Sequence, residues 1–164
     1  MKNIPEIYQK HIQAIVSTMR EFLQSGKELS AITFLGKFNA GIAPIPMDCR
    51  SERSKDESAA LVLAVAQEVK PDFVVMISEA WTLPEGTTEE QMKKIYAEYG
   101  SVAAYPHREE IVCISLETRQ GDWLGRSHIK KLDNGKRDFD DVKFLRVDGI
   151  AGRFTHFLPK DTLQ

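Results

Sequence analysis

The stretch Phe73-Val74-Val75-Met76-Ile77-Ser78-Glu79-Ala80-Trp81 places five apolar residues in an unbroken run and ends it with serine, glutamate and tryptophan. An apolar run of this length is typical of a strand that is buried on both faces. We therefore expect this strand at the centre of the sheet. Glu79, at the end of the strand, is placed either for acid–base chemistry or for holding a turn in position.

The segments around this strand predict a single α+β domain over residues 1–164. Apolar residues at three- and four-residue spacing near the N-terminus predict an amphipathic first helix. Residues 59–66 are apolar on all sides, which predicts a central helix that packs on more than one face. Pro44 and Pro46 both lack a backbone N–H on the same side, so their segment is expected at a sheet edge or in an extended loop. The apolar stripe of the first helix comprises Ile4, Tyr8, Ile12, Ile15, Met19, Phe22 and Leu23.

The C-terminal part of the chain has the pattern of consecutive hairpins. Asn134-Gly135 is typical of a tight hairpin turn, and residues 154–158 are expected to form a last short strand. If Gln120 and Gly121 form the loop of the first hairpin, apolar and polar residues mostly sort onto separate faces. We predict a mixed or mostly antiparallel sheet of five to seven strands, with two helices packed on one face and C-terminal β-hairpins.

The composition excludes several classes of protein. A formal net charge of −2 argues against a dedicated nucleic-acid binder, which needs a surface excess of lysine and arginine. Cys49 and Cys113 form no Cys-x-x-Cys pair, and no apolar run approaches the roughly 18 residues of a membrane helix. We therefore expect a cytoplasmic protein without a membrane segment. The strong phosphate-loop, dinucleotide and zinc-protease motifs are missing, so no cofactor and no metal is predicted.

The first candidate site combines Glu79 with the segment before the next strand. A carboxylate beside the indole of Trp81 would have a raised pKa and act as a general acid or base. His107 is a candidate general base, and Arg108 would hold an anion or neutralise Glu79. We predict Glu79, His107 and Arg108 as catalytic residues, with Ser78 and Trp81 beside them. The alternative is structural: Glu79 ties down a turn or pairs with an arginine, and Trp81 belongs to the core.

Two further candidates lie in the hairpins. The loop at Gln120 and Gly121 would place Cys113 opposite His128, and an imidazole lowers the pKa of a neighbouring thiol and activates it. The alternative is a half-exposed polar sheet face. Residues 119–153 contain nine lysines and arginines against six aspartates, together with Trp123 and Phe139 as candidate stacking residues. Weak nucleic-acid binding is one interpretation, although alternating charges are more typical of a solvated sheet face.

Part of this pattern resembles a known group of proteins. Ser78-Glu79-Ala80-Trp81 is followed 25 residues later by Pro106-His107-Arg108-Glu109-Glu110, which runs into the apolar residues 111–114. This combination is similar to a group of uncharacterised small bacterial and phage-encoded proteins, which share a hydrophobic strand ending in Ser-Glu-Ala-Trp and a later Pro-x-Arg-x-Glu entry to a strand. The resemblance covers residues 60–118. It implies that the strand and its end form a recurring unit, and it implies no activity.

The missing motifs and the polar hairpins favour a small cytosolic interaction or accessory protein without catalytic activity. Self-association through an exposed sheet face or edge is part of this expectation. The first alternative is a small hydrolase-like enzyme that uses Glu79 with His107 and Arg108. The second alternative is a weak nucleic-acid binder that uses the hairpins at 119–153.

Overall fold

The computed structural model describes residues 3–158, which form an α+β fold, as predicted. The helices within this range are α1 (Glu6–Gln24), α2 (Glu52–Val69) and α3 (Glu89–Tyr99), with a short 3-10 turn at Val102–Ala104. The strands are β1 (Ile32–Lys37), β2 (Gly41–Pro46), β3 (Phe73–Thr82), β4 (Glu109–Thr118), β5 (Gly121–Lys131), β6 (Arg137–Phe139) and β7 (Lys143–Val147). None of the described helices is both long and apolar enough to cross a membrane.

The described strands form one antiparallel sheet in the order β2-β1-β3-β4-β5-β6, and β7 pairs with the first half of β5. The predicted central strand is β3, which pairs with β1 on one side and with β4 on the other. β2 lies at the edge, as Pro44 and Pro46 predict. A proline cannot donate to a neighbouring strand, so these residues belong where pairing occurs on one side only.

The two long helices lie on opposite faces of the sheet, which corrects the prediction that both pack on one face. α1 packs its buried stripe against Phe34, Val75 and Ile77, whereas α2 packs against Leu35 and Val74. Successive residues of a strand point to opposite faces, so these two sets belong to opposite sides of β1 and β3. The unbroken apolar runs of both strands reflect this double coverage.

α2 is less central than its composition predicts. Only Val62 and Ala66 are buried on this helix, whereas Leu61 is 53% exposed and Leu63 is 41% exposed. One line of small side chains at four-residue spacing is enough to contact the sheet. Val65 also packs against this core while partly exposed, whereas Leu61 and Leu63 point away from it.

The β4–β5 hairpin confirms the pairing of these strands but not the predicted loop. Its two loop residues are Arg119 and Gln120, and Thr118 pairs with Gly121. The Thr118 hydroxyl accepts the N–H of Gln120 and donates to the carbonyl of Gly121, which stabilises this tighter connection. The register therefore differs by two residues from the predicted one, a shift that leaves every side chain on its predicted face.

Residues 154–158 do not form the predicted last strand. They run as an irregular segment, here called the C-terminal strap, in which Phe157 and Leu158 are buried against the α2 side of the sheet. The carboxylate of Glu117, on β4, accepts the backbone N–H groups of His156, Phe157 and Leu158 at 2.9, 3.0 and 3.5 Å. Burial raises the pKa of Glu117, and these N–H groups offset part of the rise. The strap satisfies its backbone donors with a side chain instead of a neighbouring strand.

Gly36 allows a test of the packing on the α1 side of the sheet. A Cβ at this position would overlap the ring of Phe73, which is fully buried and pairs with Gly36 across the β1–β3 ladder. We expect Gly36→Ala to lower the free energy of unfolding by about 2 kcal/mol, the usual cost of forcing extra volume into a packed core. Chemical denaturation measures this loss. If the overlap is the cause, the double variant Gly36→Ala/Phe73→Leu loses less than the sum of the two single variants.

Candidate functional site

Glu79 lies near the end of β3, on the face that α1 covers, and its carboxylate is fully engaged. Oε1 accepts the backbone N–H of Leu29 at 2.7 Å and Nη2 of Arg137 at 3.0 Å. Oε2 accepts Nη1 of Arg137 at 2.9 Å. The two side chains are only 19% and 17% exposed. The structural alternative from the sequence, an arginine partner for Glu79, therefore describes this contact.

A second carboxylate shares the same arginine. Nη1 of Arg137 also donates to Oε1 of Glu110 at 2.9 Å, and Nη2 donates to the carbonyl of Lys27 at 3.3 Å. Glu79, Glu110 and Arg137 are called the Arg137 cluster below. The cluster joins β3, β4 and β6 to the connection between α1 and β1. It therefore ties together four segments that are distant in the sequence.

The pKa values of the two carboxylates in the Arg137 cluster are shifted in opposite directions. Burial alone would raise the pKa of Glu79, but hydrogen bonds from Arg137 and from the Leu29 N–H lower it below its ordinary value. Burial raises the pKa of Glu110, and the adjacent charge of Glu79 raises it further. Glu79 is therefore the ionised member of the pair, and Glu110 is the member that takes up a proton first.

His107 and Arg108 do not form the predicted group with the Glu79 carboxylate. Within residues 3–158, neither of them forms an ion pair with Glu79. Arg108 instead places its guanidinium 4.3 Å from the ring centre of Trp81, in a cation–π contact. Its Nη1 also donates to the carbonyl of Tyr105 at 3.3 Å. The structure thus joins Arg108 to Trp81, which is 44% exposed and not a core residue.

His107 lies at a separate open groove of about 520 Å³. The groove forms between the loop after β3, one side of α3 and the segment that leads to β4. Its lining residues are Pro84, Glu85, Gly86, Thr87, Gln91, Lys94, Ile95, Glu98, Tyr99, Tyr105 and His107. Sequence reasoning did not single out Tyr99, the last residue of α3, as part of a site.

The remaining predicted site residues lie on the other face of the sheet or at its surface. Ser78 pairs with Cys113 across the β3–β4 ladder, and alternation along β3 directs it away from the face of Glu79. Cys113 stands opposite Arg126 instead of His128, and burial raises the pKa of its thiol. Cys113 and His128 are therefore not directly opposite one another, as that candidate site requires, because the register differs by two residues. His128 contacts Glu109 at 3.3 Å instead.

The Arg137 cluster and the groove differ in what they can do chemically. The cluster stabilises the end of the sheet, because its carboxylates and guanidinium satisfy one another. The groove offers aromatic and polar side chains to solvent. Among the described residues, no group of three or more histidines, cysteines or carboxylates is arranged to hold a metal ion. No protein-family model, curated protein or solved structure matches this chain.

Proposed function

We propose that this protein is a non-catalytic interaction protein that binds a partner polypeptide in the groove beside His107. The observation that favours this function over a hydrolase-like enzyme is that the Glu79 carboxylate is already occupied by hydrogen bonds. A general base has to reach the proton that it removes, within hydrogen-bond distance. Both carboxylate oxygens of Glu79 instead accept hydrogen bonds from Arg137, and one of them also accepts the Leu29 N–H. Catalysis by Glu79 would require this buried ion pair to open.

The groove has the properties of a binding surface. It is open to solvent and has a volume of about 520 Å³, which leaves room for a side chain of a partner. Pro84 and the rings of Tyr99 and Tyr105 provide apolar surface, whereas Ile95, also in the lining, is only 8% exposed. Tyrosine is among the residues that contribute most to binding energy at protein interfaces.

Nucleic-acid binding through residues 119–153 has less support. Trp123 and Phe139, the candidate stacking residues, are only 1% and 3% exposed, so bases cannot stack on their rings. Trp123 also donates its indole N–H to the carbonyl of Asn3. Several of the basic residues are held by carboxylates, as in the contact of Lys130 with Asp140.

A site-specific photocrosslinker tests the binding of a partner in the groove. We expect benzoylphenylalanine in place of the exposed His107 to form an adduct of one defined mass in the cells that naturally make the protein. The same group in place of Asp133, in the exposed β5–β6 loop, serves as the control and should form no such adduct. Mass spectrometry of the purified protein identifies the adducts. The absence of an adduct at position 107, or identical adducts at both positions, would contradict the proposed function.

A further inference from the structure

The aromatic side chains of the groove stand nearly perpendicular to one another. The ring centres of Tyr99 and Tyr105 are 5.4 Å apart with planes inclined at 65°, and those of Tyr105 and His107 are 5.6 Å apart at 75°. Neighbouring rings in this arrangement turn their faces in different directions. Such edge-to-face pairs are common in proteins, and the ring faces that they leave open carry partial negative charge, which attracts a cation.

The charges that line the groove favour the same kind of ligand. Glu85 and Glu98 both line it, and neither forms an ion pair with any residue of the described range 3–158. The one lysine of the lining, Lys94, is held by Glu90 at 2.8 Å. Hydrogen bonding to the neighbouring carboxylate of Glu98 raises the pKa of Tyr99. The groove therefore combines aromatic faces with two carboxylates that have no ion-pair partner in the described part of the chain, and it attracts cations.

We propose that the groove binds a lysine side chain of the partner polypeptide, with the ammonium group over the faces of Tyr99 and Tyr105 and against Glu98. This inference rests on the proposed function and names the chemistry that the groove recognises. A compact ammonium fits between two perpendicular faces, whereas a planar guanidinium stacks best on a single face. Apolar contact of the lysine stem with the rings adds to the charge attraction.

Titration of the 15N-labelled protein with a short peptide tests this inference without knowledge of the natural partner. The probe is Ac-Gly-Gly-Lys-Gly-Gly-NH2, and the control is the same peptide with the lysine Nε acetylated. We expect saturable shifts of the Glu98, Tyr99 and Tyr105 amide signals with the lysine peptide and none with the acetylated peptide. Equal shifts with both peptides, or no shifts with the lysine peptide, would overturn the lysine site.

Variants assign the effect to the groove. We expect Glu98→Gln to weaken binding of the lysine peptide about threefold, which corresponds to the loss of one solvent-exposed charge contact. Tyr105→Leu, which removes a ring face but keeps apolar volume, should weaken it at least as much. Glu57→Gln, on the exposed surface of α2, is the matched control and should change nothing. Unchanged binding in both groove variants would overturn the inference.

The two proposals fail in different ways. An adduct at position 107 together with no response to the lysine peptide would contradict recognition of a lysine side chain but would still support binding of a partner in the groove. The absence of both the adduct and the peptide response would remove the groove as a binding site.

Discussion

Replacement of Glu79 by glutamine is expected to lower the free energy of unfolding at pH 7 by about 3 kcal/mol, the usual cost of removing one partner from a largely buried ion pair. The change preserves the shape of the side chain but removes the charge that Arg137 contacts through both Nη atoms. Of the two carboxylates that contact Arg137 within residues 3–158, Glu110 alone would remain. Urea denaturation followed by tryptophan fluorescence measures the loss.

Glu110→Gln is the matched control, since it removes the other carboxylate of the same arginine. The raised pKa of Glu110 means that the fold disfavours its charge, so we expect a change within about 0.5 kcal/mol, as for ordinary surface substitutions. A loss in Glu110→Gln as large as that in Glu79→Gln would show that the two carboxylates are equivalent. The opposite pKa shifts that are assigned to Glu79 and Glu110 would then be incorrect.

The same pair has a defined pH dependence. The pKa of Glu79 is lowered from its ordinary value of 4.5, so its contribution to stability is present above that pH and is lost as the pH falls through the lower, folded-state pKa. The pKa of Glu110 is raised, so its contribution is present below 4.5 and is lost as the pH rises towards its folded-state pKa. The stability difference between the natural protein and Glu79→Gln should therefore shrink as the solution is acidified below about pH 4.5.

Glu117→Ala is expected to release the C-terminal strap and to lower the free energy of unfolding by about 3 kcal/mol, because it leaves buried backbone donors without an acceptor. Glu117 is 6% exposed, and its carboxylate accepts the N–H groups of three consecutive residues. Hydrogen exchange locates the effect. The amides of His156, Phe157 and Leu158 should lose protection, while those of the central strand β3 keep theirs.

Glu109→Ala serves as the control for this variant, because Glu109 lies on the same strand but its side chain is 40% exposed and, among the described residues, forms a polar contact with His128 only. We expect it to cost about 0.5 kcal/mol, as surface ion pairs do. Unchanged protection of the strap in Glu117→Ala would mean that burial of Phe157 and Leu158 alone holds the strap in place.

Local patterns predicted much of the fold. The stripe of α1, the apolar run of β3 and the paired prolines of β2 each have a short-range physical cause, and each appears where it was expected. The face on which each helix packs had no such signal. The strands that separate α1 from α2 are apolar on both sides, so their sequence does not distinguish the two faces. The hairpin loop was misplaced by two residues, because a shift of two preserves the alternation from which it was inferred.

The candidate site was harder to predict, because its contacts are long-range. Arg137 is 58 residues from Glu79, and only the completed pairing of β3, β4, β5 and β6 brings them together. The nearer Arg108 was the more obvious partner, but it contacts Trp81 instead. Tyr99 and Tyr105 come into contact because α3 ends at Gly100 and the chain turns back through Val102–Ala104. That turn leaves no periodic pattern in the sequence.

A double-mutant cycle between Glu79 and Arg137 tests most directly whether Glu79 is a structural residue. Glu79→Gln, Arg137→Leu and the double variant are compared with the natural protein by urea denaturation at pH 7. The ion pair predicts a coupling free energy of about 2 kcal/mol, so the double variant should be far less destabilised than the sum of the single variants. Additive losses within about 0.5 kcal/mol would mean that the two side chains do not act together, and Glu79 would again be a candidate for catalysis.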